Sequence, residues 1–483
     1  MSMRRLFPTA LPVALAVSFL VCVPAASAQT GSVSGTTAQT APAATIKRFS
    51  LHTNIVDGKM VYVDDKGAVN PTLSAAVGDT VEILLDSGEG AEHDLVVPEL
   101  NVASPKFSAS TGRQTVRFKV TQPGEFTYYC SVPGHRQIGM EGKLKVTGQA
   151  VAASQTGAST DAALALYTPA PLPQRGADPA AVSISADPAK VPPAIGPRAP
   201  QTQKVRMETV ELAGKLDDGT SFTYWTFNRQ VPGPMLRARV GDTIELTLAN
   251  AKDSKAIHSI DLHAVTGGHG GGEHTQVAPG TEKTIAFKAL NPGLYVYHCA
   301  TPLVPQHIAA GMYGMILIEP EAGLPKVDRE YYVMQGDMYT HRPFGAKVHQ
   351  EPDLEKMSNE LPDYYVFNGA VGALTKTNKL QAKVGETVRI YFGVGGPNKV
   401  ASFHIIGEIF DKVYGEASFT GLKNDVQTTL VAPGGATIVE LKVEHPGSYL
   451  LVDHALSRTG KGAVGVLEVT GEGVPGVYKA GKL

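Results

Sequence analysis

Two short segments place chemically active side chains on opposite faces of neighbouring extended stretches. The first runs from His258 through Asp261 to His263, and the second contains His298 followed directly by Cys299. Side chains along a strand alternate between its two faces, so His298 and Cys299 point in opposite directions. By the same rule Asp261 and His263 share a face, whereas His258 and His263 diverge. The pattern therefore predicts two different sites that are joined by a single peptide step.

The first site combines sulfur and imidazole ligands. Cys299 is followed by His307 and Met312, and His258 joins them from upstream. Two histidines, a cysteine and a thioether form the ligand set of a blue-copper electron-transfer site. Packing alone does not explain this spacing, so we predict a type 1 copper on these four residues.

The opposite face collects His263, His298 and Asp261, without a thiolate. Two imidazoles suit a second, catalytic metal that keeps one position open for substrate. The peptide step from His298 to Cys299 would carry electrons between the two metals. Either histidine alone could also be a hydrogen-bonded surface residue. Asp261 supports the prediction of a second site because it shares a face with His263.

Length and charge limit the possible classes of protein. The 483 residues are enough for about three domains, each with its own core. A formal net charge of −2 gives no electrostatic attraction to nucleic acid or to an anionic membrane. We therefore expect neither as a partner.

The N-terminus predicts export. Residues 1–28 combine Arg4 and Arg5, an apolar run and a small-residue end at Ala26-Ser27-Ala28, which is typical of a cleaved signal peptide and predicts a periplasmic location. After its removal only Cys130 and Cys299 remain. Each lies within its own ligand set, and a disulfide between them is the alternative.

A repeat predicts the elements that position these residues. Val-Gly-Asp-Thr begins at Val77 and Val240, and Val-Gly-Glu-Thr begins at Val384, each before a β-type run. A histidine, a Pro-Gly turn and another strand follow each copy. Short strands with almost no helical periodicity predict an all-β fold of three consecutive sandwiches. We place these domains at residues 45–147, 203–322 and 323–475, with a Pro/Ala-rich linker at 148–202.

The three copies have diverged in their ligands. The first has a complete blue-copper set, but Tyr129 stands where the second has His298. The third has no cysteine, yet it keeps His404 and gains His454, next to the Asp453 that aligns with the cysteines. The third copy is therefore predicted to complete the second site, in this chain or in another. The ligand set of the first copy is His93, Cys130, His135 and Met140.

Longer stretches resemble the copper-containing nitrite reductases over roughly residues 187–473. They include Asp187-Pro-Ala-Lys-Val-Pro-Pro193, Tyr224-Trp-Thr-Phe-Asn228, Ser402-Phe-His-Ile-Ile-Gly407 and Val452-Asp-His454. The short loop from Cys299 to His307 resembles one branch of that family, and residues 45–147 resemble a small cupredoxin of the plastocyanin and azurin kind. The resemblance implies three cupredoxin-like Greek-key β-sandwiches and dissimilatory reduction of nitrite to nitric oxide.

The resemblance also implies roles for individual residues. Type 2 copper would bind His263, His298 and a His454 supplied by a neighbouring subunit of a homotrimer or a multiple of one. Asp261 and His404 would handle protons, and Ile406 would line the substrate pocket. Each chain would then hold two type 1 coppers and one type 2 copper. The electron donor would be a small cytochrome c or a cupredoxin.

Two rival functions remain to be weighed. A laccase-like multicopper oxidase needs several His-X-His pairs, and the sequence has none. A non-enzymatic electron carrier would hold only the two blue coppers.

The first copy would be a tethered module that either relays electrons or serves assembly. Other histidines are expected to be solvated or loop residues, namely His52, His269, His274, His341, His349 and His445.

Overall fold

Alternating exposure along the strands explains why the chain forms sheets with one face on a core. Strand Glu141–Thr147 alternates strictly between exposed and buried residues, and Thr80–Ser87 alternates in the same way over most of its length. The all-β prediction is confirmed. The computed structural model describes residues 45–57, 59–108, 111–132, 134–136, 138–148 and 175–481. The predicted signal peptide and most of the first half of the predicted linker lie outside them.

Nine strands of the N-terminal domain form two sheets. The first sheet has the order β2-β1-β4-β7 and the second has the order β3-β9-β8-β5-β6. Leu85, Phe107 and Tyr128 lie in the core between them. The strands are β1 (Ile46–Val56), β2 (Lys59–Asp64), β3 (Leu73–Ala76), β4 (Thr80–Ser87), β5 (Val96–Val97), β6 (Val102–Ala103), β7 (Gln114–Lys119), β8 (Gly124–Tyr129) and β9 (Glu141–Thr147).

The second domain repeats this plan and adds a short helix, α1 (Val304–Ala309), which carries His307. One sheet has the order β15-β13-β10-β11-β19 and the other has the order β12-β17-β16-β14. The strands are β10 (Thr202–Asp217), β11 (Thr220–Phe227), β12 (Leu236–Arg239), β13 (Thr243–Asn250), β14 (Asp261–Leu262), β15 (Glu282–Lys288), β16 (Gly293–His298), β17 (Tyr313–Glu319) and β19 (His349–Gln350).

The third domain has sheets of order β20-β18-β22-β27-β24-β25 and β21-β29-β28-β23-β26. One helix, α2 (Leu354–Ser358), lies outside the sheets. The strands are β18 (Arg329–Met338), β20 (Tyr364–Phe367), β21 (Leu380–Lys383), β22 (Thr387–Gly396), β23 (Ala401–Ile406), β24 (Phe410–Tyr414), β25 (Leu422–Val426), β26 (Thr428–Val431), β27 (Ala436–Lys442), β28 (Gly447–Asp453) and β29 (Val464–Thr470).

The repeated Val-Gly-(Asp/Glu)-Thr motif forms a tight turn before one long strand of each domain. The glycine has a positive φ of 97°, 89° and 92° at Gly78, Gly241 and Gly385, which L side chains rarely adopt. The acid that follows accepts a hydrogen bond from the backbone N–H three residues before it. Glutamate in the third copy makes the same bond as aspartate in the others. The repeat is therefore a structural device that starts β4, β13 and β22.

The second and third domains share a buried junction. Arg237 bonds Glu319 at 2.5 Å and Glu330 at 2.8 Å, and Glu330 also bonds Arg389 at 2.9 Å. Losing one partner of such a buried network would leave an uncompensated charge. The network thus fixes the third domain against the second.

One histidine is less exposed than the sequence indicates. His349, expected to be a solvated or loop residue, lies on β19, and its side chain is only 4% exposed because β19 joins the second domain's sheet and the imidazole bonds Ser221 and Thr223. That expectation was wrong.

Within the predicted linker, residues 175–201 lie along the second domain, and Ile184 is buried in its core. In the described ranges, no helix has the length and apolar character needed to span a bilayer.

Candidate metal centres

In the N-terminal domain the predicted ligands come together at one end of the sandwich. The Sγ of Cys130 lies 3.4 Å from Nδ1 of His135 and 3.8 Å from Nδ1 of His93. Met140 is fully buried, and its backbone bonds both the Cys130 and the His135 backbones. The loop between cysteine and methionine is thereby closed around the thiolate position. The donor atoms of His93, Cys130 and His135 lie close enough to one another to hold a single ion.

The second domain builds the same arrangement on β16 and α1. The Sγ of Cys299 lies 3.3 Å from Nδ1 of His307, and the two imidazole Nδ1 atoms of His258 and His307 are 3.3 Å apart. Cys299 and Met312 are fully buried, and the Cys299 N–H bonds the Met312 carbonyl at 3.1 Å. Soft sulfur with imidazole in a dry pocket fits copper. Both cysteines are free thiols in separate groups, so the disulfide alternative is wrong.

The two thiols differ in acidity. Burial raises the pKa of Cys130 to about 12. Burial also acts to raise the pKa of Cys299, but His307 and His258 outweigh it and hold that pKa well below its usual range. A thiol must lose its proton to bind a metal. Metal binding in the N-terminal domain should therefore release a proton from Cys130.

Each buried set has a carboxylate behind one histidine, which the sequence analysis missed. The Nε2 of His258 donates to Glu211 at 3.2 Å, and Nε2 of His93 contacts Glu89. Such a bond fixes the tautomer and leaves Nδ1 free as a ligand. Glu89 precedes His93 by four residues, a weak local signal. Glu211 comes from β10, 47 residues before His258, and nothing in the sequence marks it.

The second predicted site lies on the other face of β14 and β16. Nε2 of His263 is 3.1 Å from Nε2 of His298, and Asp261 Oδ2 is 3.9 Å from the latter. His298 directs Nδ1 to the Cys299 carbonyl at 3.0 Å, which leaves Nε2 free. His263 is exposed, and partial burial together with His298 lowers its pKa. Two imidazoles whose Nε2 atoms face each other beside a carboxylate are suited to a catalytic metal.

The loop that follows this site lies directly on Asp261. A methyl group added at Gly270 would stand 1.7 Å from Oδ1 of Asp261, and Gly270 has a φ of +63°. The backbone therefore approaches the carboxylate as only glycine allows. His269 in this loop pairs with Glu273 at 3.4 Å on the surface rather than joining the site.

The remaining predicted residues lie on β23 and at the end of β28. The ring centroids of His404 and His454 are 5.4 Å apart, and Nδ1 of His404 bonds the Gln427 carbonyl at 2.5 Å. Asp453 is fully buried whereas His454 is exposed, as their alternation predicts. Among the described residues of a single chain, His454 does not join His263 and His298. Ile406, on the same strand as His404, is 44% exposed.

Known families match all three domains. Residues 51–147 match the copper binding proteins of the plastocyanin/azurin family, and residues 208–323 and 347–472 match multicopper oxidase families.

Individual relatives are more specific than these family matches. The copper-containing nitrite reductase of Neisseria meningitidis serogroup A is 54% identical over 283 residues, which is 58% of this chain and 73% of that protein. That of Alcaligenes faecalis is 37% identical over 274 residues, 53% of this chain and 72% of that protein. The solved copper nitrite reductase from Nitrosomonas europaea is 36% identical with a TM-score of 0.52, covering 58% of this chain and 98% of that one. The chain therefore belongs to the copper-containing nitrite reductases.

Proposed function

We propose that this chain, as a member of that family, reduces nitrite to nitric oxide at a copper shared between subunits. The proposal rests on two partial sets of metal ligands, one on the second domain and one on the third. His263 and His298 face outward from the second domain, and His454 faces outward from the third without meeting them in one chain. A second copy of the chain brings the halves together, as in a cyclic homotrimer, where the same interface repeats around the ring.

Exposed apolar residues support this interface. Ile406, Leu430 and Leu450 lie on adjacent strands near His404 and are 44%, 70% and 39% exposed. Apolar side chains clustered around a functional residue favour burial against a partner. We assign that partner as a second copy, because it also supplies the missing half of the site.

The reaction converts nitrite, one electron and two protons into nitric oxide and water. When bound, copper on the three imidazoles supplies a Lewis-acidic position for nitrite and delivers the electron. Asp261, beside the imidazole pair, holds a proton against the substrate oxygen that leaves as water. His404 donates Nδ1–H to the Gln427 carbonyl, so its Nε2 exchanges the second proton. Ile406 lines the apolar side of the pocket.

Metal content tests the proposed sites. Three coppers per chain are expected, two of them blue and held by the Cys130 and Cys299 sets. Cys130→Ala and Cys299→Ala should each remove one thiolate-to-copper absorption band and leave the other. Loss of both bands in either variant would contradict two independent blue sites.

The shared site is tested by His454→Ala. This variant should lose type 2 copper and nitrite reduction while it keeps both blue bands, because His454 belongs to neither cysteine set. The measurements are electron paramagnetic resonance and nitric oxide production. A type 2 signal that persists and still shifts on nitrite addition would refute the role of His454.

The rivals fare less well. A laccase-like cluster needs His-X-His pairs that the chain lacks. A pure electron carrier leaves the outward imidazole pair and Asp261 unexplained.

The location is proposed to be periplasmic because residues 1–28 resemble a signal peptide. The electron donor is proposed to be a small cytochrome c or a cupredoxin. Finding residue 29 at the N-terminus of the purified exported protein would test the signal cleavage.

A further inference from the structure

The N-terminal domain meets the second domain next to its own ligand loop. A methyl group added at Gly134, the residue before His135, would stand 1.7 Å from Cδ1 of Leu303. Leu303 immediately precedes the helix α1 that carries His307. A backbone hydrogen bond of 3.2 Å joins the Glu92 N–H to the Lys255 carbonyl in the same region. The two loops that hold the blue-copper ligands therefore lie against each other.

A cleft of about 510 Å³ lies between these loops, and both histidines line it. His135 reaches it from the N-terminal domain, and His307 reaches it from the second domain. Trp225 also lines the cleft and packs against His307 with ring centroids 4.6 Å apart. The outermost ligands of the two sets thus face one space.

We infer that the N-terminal domain is the electron inlet of this chain: its His135 edge covers the His307 edge of the second domain, and electrons from an external donor pass between these edges. The step moves one electron and no proton. Copper held by His93, Cys130 and His135 would give up one electron, and copper held by His258, Cys299 and His307 would accept it. An external one-electron donor protein then restores the first centre. The inference rests on copper at both sets, as proposed above.

This geometry has a consequence for donor access. A protein donor cannot approach His307 along the side that the N-terminal domain already occupies at Leu303. Tunnelling rates fall steeply with distance, so a donor held outside this contact would reduce the second domain slowly. Holding a partner in place raises its effective concentration to a degree that free solution does not reach.

The contact itself can be tested without copper. In the full chain, Glu92→Cys together with Lys255→Cys should form a disulfide under mild oxidation, because hydrogen-bonded backbones at this spacing bring the Cα atoms within disulfide range. Peptide mapping by mass spectrometry would identify the cross-link, with each single variant as the control. If no linked peptide forms, the domains do not dock in this way and the inference fails.

The electron path is tested by stopped-flow bleaching of the blue bands without nitrite. When the donor is a reduced small cytochrome c or cupredoxin, the Cys299 band of Cys130→Ala should bleach about tenfold more slowly than that of the parent chain. In this variant the N-terminal domain still covers the His307 edge but can no longer pass on electrons. The matched control, Cys299→Ala, keeps the inlet and has no second blue centre to pass electrons to, so its Cys130 band should bleach at least as fast as in the parent chain. A small dye should show a smaller effect than the protein donor.

The outcomes separate the inference from the proposed function. If the Cys299 band is present and bleaches equally fast in the parent and in Cys130→Ala, the inlet role is refuted and the copper assignment stands. If neither band exists, both the copper assignment and the inlet role are refuted. Should Cys130→Ala fold poorly, Leu303→Asn probes the same contact in a chain that keeps both ligand sets, with Leu290→Asn as its control. There, slower transfer from the Cys130 centre to the Cys299 centre supports the inference, and an unchanged transfer rate refutes it.

Discussion

At the scale of single residues, proton transfer and metal binding are assigned to different side chains, which can therefore be changed separately. Asp261 lies 3.9 Å from the His298 imidazole, and His404 is held by the Gln427 carbonyl. Asp261→Asn and His404→Asn should keep all copper and lower nitrite turnover by about a hundredfold, the scale of a lost general acid. Steady-state rates across pH check this. An unchanged rate and pH profile in both variants would remove the proton-transfer roles.

Glu211 allows a test of a positioning residue. Its bond to His258 Nε2 leaves Nδ1 as the ligand, so Glu211→Gln should weaken copper binding at the Cys299 set by about ten- to a hundredfold. Copper titration followed at the blue band measures this. The matched control is Glu245→Gln, whose exposed carboxylate pairs with Lys204 on the surface. Equal affinities in the two variants would show that Glu211 does not position His258.

Residue-level prediction succeeded where backbone alternation decides the outcome. The opposite exposure of Asp453 and His454 follows from their adjacency on one strand. It failed where the partner is distant or the strand changes sheet. Glu211 approaches His258 because its carboxylate also accepts hydrogen bonds from the Lys255 and Ala256 N–H groups, and the His349 side chain is buried because β19 joins another domain's sheet. Such pairings depend on tertiary packing, which no local pattern encodes.

At the scale of elements, the turn from β23 to β24 contains a carboxyl group with an unusual proton affinity. Burial, with Asp411 and Glu444, raises the pKa of Glu408 to about 7. An unfolded glutamate titrates at a lower pH, so folding favours the protonated form. Its contribution to stability is complete below the unfolded pKa and is lost as pH rises through about 7.

Replacing this group should therefore change the pH dependence of stability. Between about pH 5 and about pH 8 the parent chain should lose the contribution of Glu408 to its thermal stability, whereas Glu408→Gln should not, because the amide cannot ionise. The stability of the variant relative to the parent should therefore be higher at about pH 8 than at about pH 5. Thermal unfolding followed by circular dichroism at both pH values measures the difference. Glu321→Gln, at an exposed position, serves as the control. A Glu408→Gln variant that tracks the parent at both pH values would mean that this carboxyl does not govern the pH response.

At the scale of the whole molecule, the sequence predicted the number and type of domains but not their arrangement. The repeated turn motif and the ligand spacing indicated three sandwiches, because these features are local. The contact between Gly134 and Leu303 joins residues far apart in sequence across a predicted linker that fixes no distance. Similarly, His454 and His263 carry no signal that separates a contact within a chain from one between chains. Geometry was needed for both.

Sharing of the catalytic site between subunits can be tested by complementation. His263→Ala and His454→Ala chains should each be inactive alone, since each breaks every site of its own homotrimer. In a mixed trimer, one interface joins the intact His263 of one chain to the intact His454 of its neighbour, so about a third of the sites should be restored. Co-expression with two different affinity tags and tandem purification isolates the mixed species for nitrite assays and copper analysis. If His454 served its own chain instead, every site would lack a ligand and the mixed trimers would stay inactive.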